Sequence, residues 1–233
     1  MDSLVKKKNL GIILARKGSK RIPNKNIIKF NNKPLIAWTI EAAIKSKIFD
    51  NIIVSTDSEK IKKIAIEYGA DVPFKREEYH DDNSPSSLAT WYMTNKIETE
   101  FGLVFENVFQ LLPSCPFRNE KVIRKCYNYF KQNKISSLIS CSQFSCLNPW
   151  WSFQMNCKDE ANYLFPKKLN KRSQDLKKVF SISGAVWIIK NDRLKKYKTF
   201  YCPGHKFFPI DSLSALDIDT KDDLEFAKKI NIK

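Results

Sequence analysis

Residues 14–26 read Leu14-Ala15-Arg16-Lys17-Gly18-Ser19-Lys20-Arg21-Ile22-Pro23-Asn24-Lys25-Asn26, directly after the apolar run Leu10-Gly11-Ile12-Ile13. A strand that empties into a loop with Gly18, Ser19 and five cations suits a polyphosphate. Glycine admits close approach of the backbone, loop N–H groups can face oxygen, and Lys and Arg heads neutralise charge. The plainer alternative is a solvated basic loop at a strand end. A second signal is Asp217-Ile218-Asp219. In a strand, alternate side chains share a face, so the two carboxylates are expected to project together. They repel unless a cation lies between them, and Mg²⁺ takes one or two carboxylates together with phosphates and water. Thr220, with Asp223 three residues on, reads as a capping box that opens a helix. The plainer alternative leaves both Asp residues as decoration of a strand end and a helix start.

The loop continues into Lys33-Pro34-Leu35-Ile36-Ala37-Trp38-Thr39-Ile40-Glu41-Ala42-Ala43, and later come Ile53-Val54-Ser55-Thr56-Asp57 and Tyr68-Gly69-Ala70. Together these resemble the acylneuraminate cytidylyltransferases, the CMP-sialic acid synthetases and their pseudaminate and legionaminate relatives. The similarity runs from about Asn9 to Lys229. It implies that CTP is held by Leu14, Ala15, Arg16, Gly18, Ser19, Lys20, Arg21, Lys25 and Asn26. Arg16, Ser19 and Lys25 would grip the triphosphate, with Lys25 stabilising the departing charge. Asp217 and Asp219 match the family's metal-binding D-x-D, so Mg²⁺ is the implied cofactor. Arg16, Lys25, Asp217 and Asp219 are thus the implied catalytic set.

Three further segments extend the resemblance. Gln110-Leu111-Leu112-Pro113-Ser114-Cys115-Pro116-Phe117-Arg118 is similar to the family's Q-x-T-S-P-x-R, whose Gln holds the sugar; Leu112-Pro113 departs from the usual order. The stretch from Arg76 to the acidic and serine-rich segment before Ser87 resembles the family's cytosine-binding region. Arg76 and Ser84 are the choices there, the serine register being open by two or three positions. Arg172-Ser173-Gln174-Asp175-Leu176 is similar to the R-x-Q-D-L of pseudaminate and legionaminate-type members. Arg172 and Gln174 are thereby assigned to the acidic sugar, reached in part from a partner subunit. Each assignment has a structural alternative: a loop amide for Gln110, a helix cap at Asp82 or Ser84, a solvated basic turn at Arg172. Ser183, before Gly184-Ala185, replaces an amide typical of sialate-specific members, and this argues against N-acetylneuraminate.

The elements that position these groups alternate. A helix with Ile36, Ile40, Ala43 and Ile44 on one face follows Pro34. Asn51–Ser55 reads as a strand, with Asp57 or Ser58 capping a helix that Gly69 stops. Asp71–Phe74 reads as a short strand, Ser84–Glu100 as helix, Val104–Leu112 as strand, Glu120–Gln132 as helix, Ser136–Cys141 as strand and Ser183–Ile189 as strand. Alternation of this kind predicts an α/β fold with three layers, its mostly parallel sheet covered on both faces. The resemblance makes it a Rossmann-like nucleotidyltransferase fold, GT-A-like, in a single domain over residues 1–233. Residues 142–179 break the alternation and read as a hairpin-like excursion. Its aromatics ask for a partner surface, and the family uses this region as a dimerisation arm; the plainer alternative is a local flap that packs on its own chain. A homodimer is expected on that ground.

Bulk properties bound the remainder. The chain has 233 residues and a net charge of +16, from 41 basic against 25 acidic side chains. Such a charge fits an anionic nucleotide and an acidic sugar, and equally nucleic acid. No basic stripe interleaved with aromatics and no recognition-helix motif supports the latter. No apolar stretch of about 18 residues suggests a membrane span, and a cytoplasmic location is expected. Six Cys without a C-x-x-C pair, and only two His, argue for free thiols and against zinc. The reading is a cytidylyltransferase for a nonulosonic sugar. Its alternatives are another sugar nucleotidyltransferase, acting on 3-deoxy-manno-octulosonate or a sugar 1-phosphate, and a non-catalytic nucleic-acid-binding or regulatory protein.

Overall fold

The computed structural model describes residues 4–81, 83–144 and 148–230. Asp82, read as a helix cap, and Cys146, read as a free thiol, lie outside them. The chain opens with β1 (Val5–Leu14), then a tight hairpin of β2 (Lys29–Phe30) and β3 (Lys33–Pro34). The two residues between them, Asn31 and Asn32, both have positive φ (44° and 71°), which Asn tolerates at hairpin turns. Next come α1 (Leu35–Ser46), β4 (Asn51–Ser55), α2 (Glu59–Glu67), α3 (Ser86–Phe101), β5 (Leu103–Leu111), α4 (Glu120–Gln132) and β6 (Ser137–Gln143). After the arm, with β7 (Phe153–Met155) and β8 (Ala161–Tyr163), follow β9 (Phe180–Lys190), α5 (Asn191–Tyr197), β10 (Lys206–Pro209) and α6 (Lys221–Lys228).

Six strands form the central sheet in the order β10-β6-β9-β5-β1-β4. β1 pairs in parallel with β4 and β5, and β10 with β6; β9 runs antiparallel between β5 and β6. The sheet is therefore mostly parallel with one reversed strand. Alternation along β1 explains the layers. Ile13 packs with Ile36, Ile40, Ile61, Ile123 and Phe130 of α1, α2 and α4. Leu10 and Ile12 pack with Met93, Ile97 and Leu194 of α3 and α5 on the other face. A third, smaller cluster joins Ile22 of the basic loop to Phe30, Leu35, Ile218, Leu224 and Ala227. It fastens the loop to the acidic segment almost two hundred residues later.

Several expectations need correction. Asp71–Phe74 makes one isolated bridge, Ile53 with Asp71, with a second just beyond it between Thr56 and Lys75, and is no strand. Leu216–Asp219 belongs to no strand: Ile218 N–H is used by Ser114 O (2.8 Å) and Asp219 N–H by Asp223 (3.0 Å), leaving no ladder. α5 and β10 were not foreseen; both are short and half-exposed, so neither writes a strong apolar period.

The arm leaves the sheet after Gln143 and returns at Phe180, two residues that face each other across β6 and β9. It folds on itself. Trp150 packs edge-on against Phe165, its indole N–H reaching Lys177 O at 2.8 Å, and β7 pairs with β8. Phe153, Met155, Tyr163 and Leu164 remain exposed. Among the described residues no helix is long and apolar enough to cross a membrane.

Candidate active site

The C-terminal ends of β1 and β5 open onto one cleft, the usual ligand position for strands of this direction. The β1–β4 ladder extends one residue past the strands through Ala15 N–H to Ser55 O (3.0 Å), after which the chain leaves as the basic loop. Asn26, buried, closes that loop by donating its side-chain N–H to Arg16 O at 2.9 Å. Leu14, Arg16, Gly18, Ser19, Lys20, Arg21, Lys25 and Asn26 line a cleft of about 470 Å³, with Leu112, Pro113 and Ser114 opposite and Asp217 and Asp219 at one side. No protein atom lies within 4 Å of where a Gly18 Cβ would sit, so backbone and ligand can meet there. Ala15 is fully buried and offers only its backbone.

The acidic pair is presented by Ile218. Its side chain is fully buried in the third cluster, while its two neighbours line the cleft. The capping box at Thr220 and Asp223 fixes the following turn, Thr220 accepting from Asp223 N–H and Asp223 accepting from Thr220 N–H at 2.7 Å. Lys25 Nζ donates to Asp219 Oδ1 at 2.9 Å and to Ile218 O at 3.0 Å. Arg21 meets Asp219 Oδ2 at 2.8 Å. Burial pushes the Asp219 carboxyl up, but the Lys25 hydrogen bond and charge, with Arg21, outweigh it and hold it below the ordinary range. Asp217 differs. Burial raises it, the Asp219 charge adds to that, and Ser114 and Lys25 oppose without prevailing. Its Oδ1 is buried with no hydrogen-bond partner.

That orphaned oxygen, beside a second carboxylate, suits a divalent cation. Among the described residues no group of three or more His, Cys, Asp and Glu side chains surrounds it. A cation there would take its remaining oxygens from phosphate and water, as Mg²⁺ commonly does.

A second chamber of about 220 Å³ adjoins the cleft and shares Leu14, Arg16 and Leu112 with it. Arg76, Tyr79, Asp81, Ser84, Ser86 and Ala89 complete its walls. Arg76 is 3 % exposed; burial lowers its pKa, and Asp57 opposes that while Arg16 adds to it. Ser84 donates its hydroxyl to Asp81, whose carboxyl that bond and backbone N–H groups hold down. Arg16 reaches His80 O at 3.4 Å, closing the wall between the loops.

Three sugar-site residues lie elsewhere. Gln110 is fully buried, its amide accepting from Thr90 Oγ1 (2.8 Å) and donating to Ser86 Oγ (3.1 Å). With both polar ends used on α3 it supports the smaller chamber from behind and does not line the cleft. Leu112, two residues on and past the end of β5, faces both chambers instead. Gly184 makes its seat, since a Cβ there would stand 2.6 Å from Leu112 Cδ1. Arg172 is exposed and paired with Asp175 at 2.8 Å. Gln174 lines a separate hollow of about 720 Å³ at the base of the arm, with Gln143, Phe144, Lys177 and Lys178. Within one chain neither reaches the acidic pair's cleft.

Ser86 falls within the serine register left open above, Ser114 was matched in its segment without a role, and Asp57 was read only as a helix cap. Asp57 accepts from Lys17 N–H at 2.6 Å, and the cap of α2 falls to Ser58.

A model of the family described as cytidylyltransferase matches residues 10–232. A pseudaminic acid cytidylyltransferase of Campylobacter jejuni (strain 81-176) is 37 % identical over 222 residues, covering 95 % of each chain. A CMP-N,N'-diacetyllegionaminic acid synthase of Legionella pneumophila is 33 % identical over 229 residues, again covering 95 % of each. The fold matches a CMP:2-keto-3-deoxy-manno-octonic acid synthetase solved with CTP, with a TM-score of 0.71 at 16 % identity, covering 96 % of this chain and 98 % of that one.

Proposed function

Since the chain belongs to the cytidylyltransferase family, we propose that it couples CTP to a nonulosonic acid, releasing pyrophosphate and a CMP-sugar. The observation that carries this reading is the junction of two chambers. A cationic cleft sized for a triphosphate opens, past Arg16 and Leu112, into a smaller chamber walled by Arg76 and serines. Arg16, Ser19 and Lys25 hold the phosphates, with Lys20 and Arg21 in support. Arg76 and the Ser84–Ser86 turn meet the polar edge of the base, where a base lacking those groups would leave buried partners unpaired.

The anomeric hydroxyl oxygen of the sugar bonds to the α-phosphorus, the bond from that phosphorus to the bridging oxygen of pyrophosphate breaks, and the hydroxyl proton is released to water. Such transfers depend on positioning and on charge neutralisation. Asp217 and Asp219 would hold Mg²⁺. When bound, it supplies positive charge to the phosphate oxygens. Lys25, engaged with Asp219 in the structure, is placed to turn its ammonium toward the departing pyrophosphate. Neither His80 nor His205 lines the cleft.

The relatives named above act on pseudaminic and legionaminic acids, and these are the first acceptors to examine. Ser183, whose hydroxyl donates to Ala215 O at 3.2 Å, stands where the sialate pattern has an amide. Two copies, joined through the apolar arm, would bring Arg172 and Gln174 to a neighbouring cleft.

The test is pyrophosphate release with CTP, Mg²⁺ and pseudaminic, legionaminic, N-acetylneuraminic and 3-deoxy-manno-octulosonic acids in parallel. The reading expects turnover with a nine-carbon acid and CTP, and little with UTP or ATP. Release with the eight-carbon acid alone would replace it by the octulosonate alternative. Salt-sensitive nucleic-acid binding without CTP binding would replace it by the non-catalytic one.

A further inference from the structure

Three consecutive residues at and just past the end of β4 hold two parts of the nucleotide site, the phosphate loop at Ala15 and Lys17 and the base chamber at Arg76. Ser55 O accepts from Ala15 N–H at 3.0 Å, and Thr56 O from Arg76 N–H at 2.7 Å. The Asp57 carboxylate accepts from Lys17 N–H at 2.6 Å. The first two are backbone contacts that any residue would make. The third needs a side-chain oxygen at position 57. Asp57 is not required at the start of α2, because Ser58 caps that helix through Ile61 N–H. Its carboxylate also lies close enough to the buried Arg76 guanidinium to favour the charged form against burial and the like charge of Arg16.

We propose that Asp57 is a positioning residue for the nucleotide: its carboxylate pins the phosphate loop at the Lys17 N–H and presents a negative charge to Arg76, so that the triphosphate cleft and the base chamber are set relative to each other. This rests on the cytidylyltransferase reading. Asp57 lines neither chamber. It acts through the loop, whose next two residues, Gly18 and Ser19, line the cleft, and through Arg76, which lines the chamber. Lys17 is 40 residues upstream and Arg76 is 19 downstream in sequence, so one carboxylate acts on both loops, in addition to the contact between Arg16 and His80 O that joins them.

Asp57→Asn keeps an oxygen for Lys17 N–H and removes the charge; Asp57→Ala removes both. Calorimetric titration of CTP into full-length protein reads the effect directly. The expected weakening is about tenfold for Asp57→Ala, a charge-assisted hydrogen bond being worth about 1.5 kcal/mol or more. About threefold is expected for Asp57→Asn, since a neutral hydrogen bond has roughly half that strength. KM for CTP rises in the same order while KM for the sugar acid stays within about twofold, a split that general destabilisation does not produce. If Asp57→Ala does not fold, Asp57→Asn carries the test. Unchanged CTP affinity in the folded variants, or equal rises in both KM values, overturns the proposal. Wild-type protein that binds CTP yet activates no nonulosonic acid would remove the acceptor reading alone. Wild-type protein that does not bind CTP would remove both.

Discussion

Asp217 and Asp219 are neighbours in sequence with opposite electrostatic lives. Each oxygen of Asp219 rests on a cation, while Asp217 keeps one oxygen without a partner. Replacing either with Asn is expected to cut turnover by about a hundredfold or more, since charge stabilisation at a transferring phosphate is worth several kcal/mol. The two should differ in metal response: raising Mg²⁺ restores part of the rate in Asp219→Asn, where Lys25 remains as a competing cation, and little in Asp217→Asn. Initial rates against Mg²⁺ concentration check this; near-normal rates in both would remove the metal assignment. The basic loop was legible because its residues are close in sequence and line one cleft. That Gln110 lies off the cleft lining was not legible, because period-two alternation puts 110 and 112 on one side without saying where the strand stops. The ladder ends at Leu111, so residue 112 meets the cleft and residue 110 stays inside. Asp57 was invisible as anything but a cap, its partner being a backbone N–H 40 residues away.

At the scale of elements, α6 illustrates a signal read correctly for a reason that holds locally. A capping box needs only four residues, and Thr220 and Asp223 form it. Thr220→Ala should cost about 1 kcal/mol and lower Tm by about 2–4 °C in a chain of this size. Because Asp223 also accepts from Asp219 N–H, the same variant should weaken Mg²⁺ activation. Calorimetric unfolding alongside Mg²⁺-dependent rates separates the two effects, and an unchanged Tm would contradict the cap. The acidic segment itself was misread as a strand: alternation puts side chains on one face in any extended chain, whether or not a neighbouring strand exists to pair with it. β9 makes a second case. Gly184→Ala inserts a Cβ 2.6 Å from Leu112 Cδ1. Overpacking of that kind costs about 1–3 kcal/mol, and here the strain is relieved by pushing Leu112 into the space between the chambers. KM for CTP should rise several-fold, measured beside Leu112→Ala, which should stabilise the double variant relative to Gly184→Ala alone.

For the whole molecule, alternation of apolar runs and amphipathic helices made the three-layer parallel plan legible, because each element must bury one face against the next. The reversal of β9 was not legible, since strand direction depends on which neighbours the arm lets it reach. Packing also sorts the thiols. Cys115 and Cys126 are buried, and burial pushes both up to about 12, whereas Cys157 on the arm is exposed. At pH 8 iodoacetamide should label Cys157 within minutes and reach Cys115 and Cys126 only on denaturation, as peptide mass mapping would record. Rapid labelling of Cys115 in folded protein would contradict the core as described. The two feet of the arm stand on facing residues, Gln143 and Phe180, in adjacent antiparallel strands. Joining them with Asn-Gly in place of residues 144–179 should leave an ordinary hairpin, retaining CTP affinity by calorimetry while sugar turnover disappears. Acceptor recognition would then travel as a cassette. Lineages could exchange it by recombination at two adjacent splice points, inheriting the nucleotide-handling half unaltered, and sequence divergence among relatives with different sugars would gather inside the cassette.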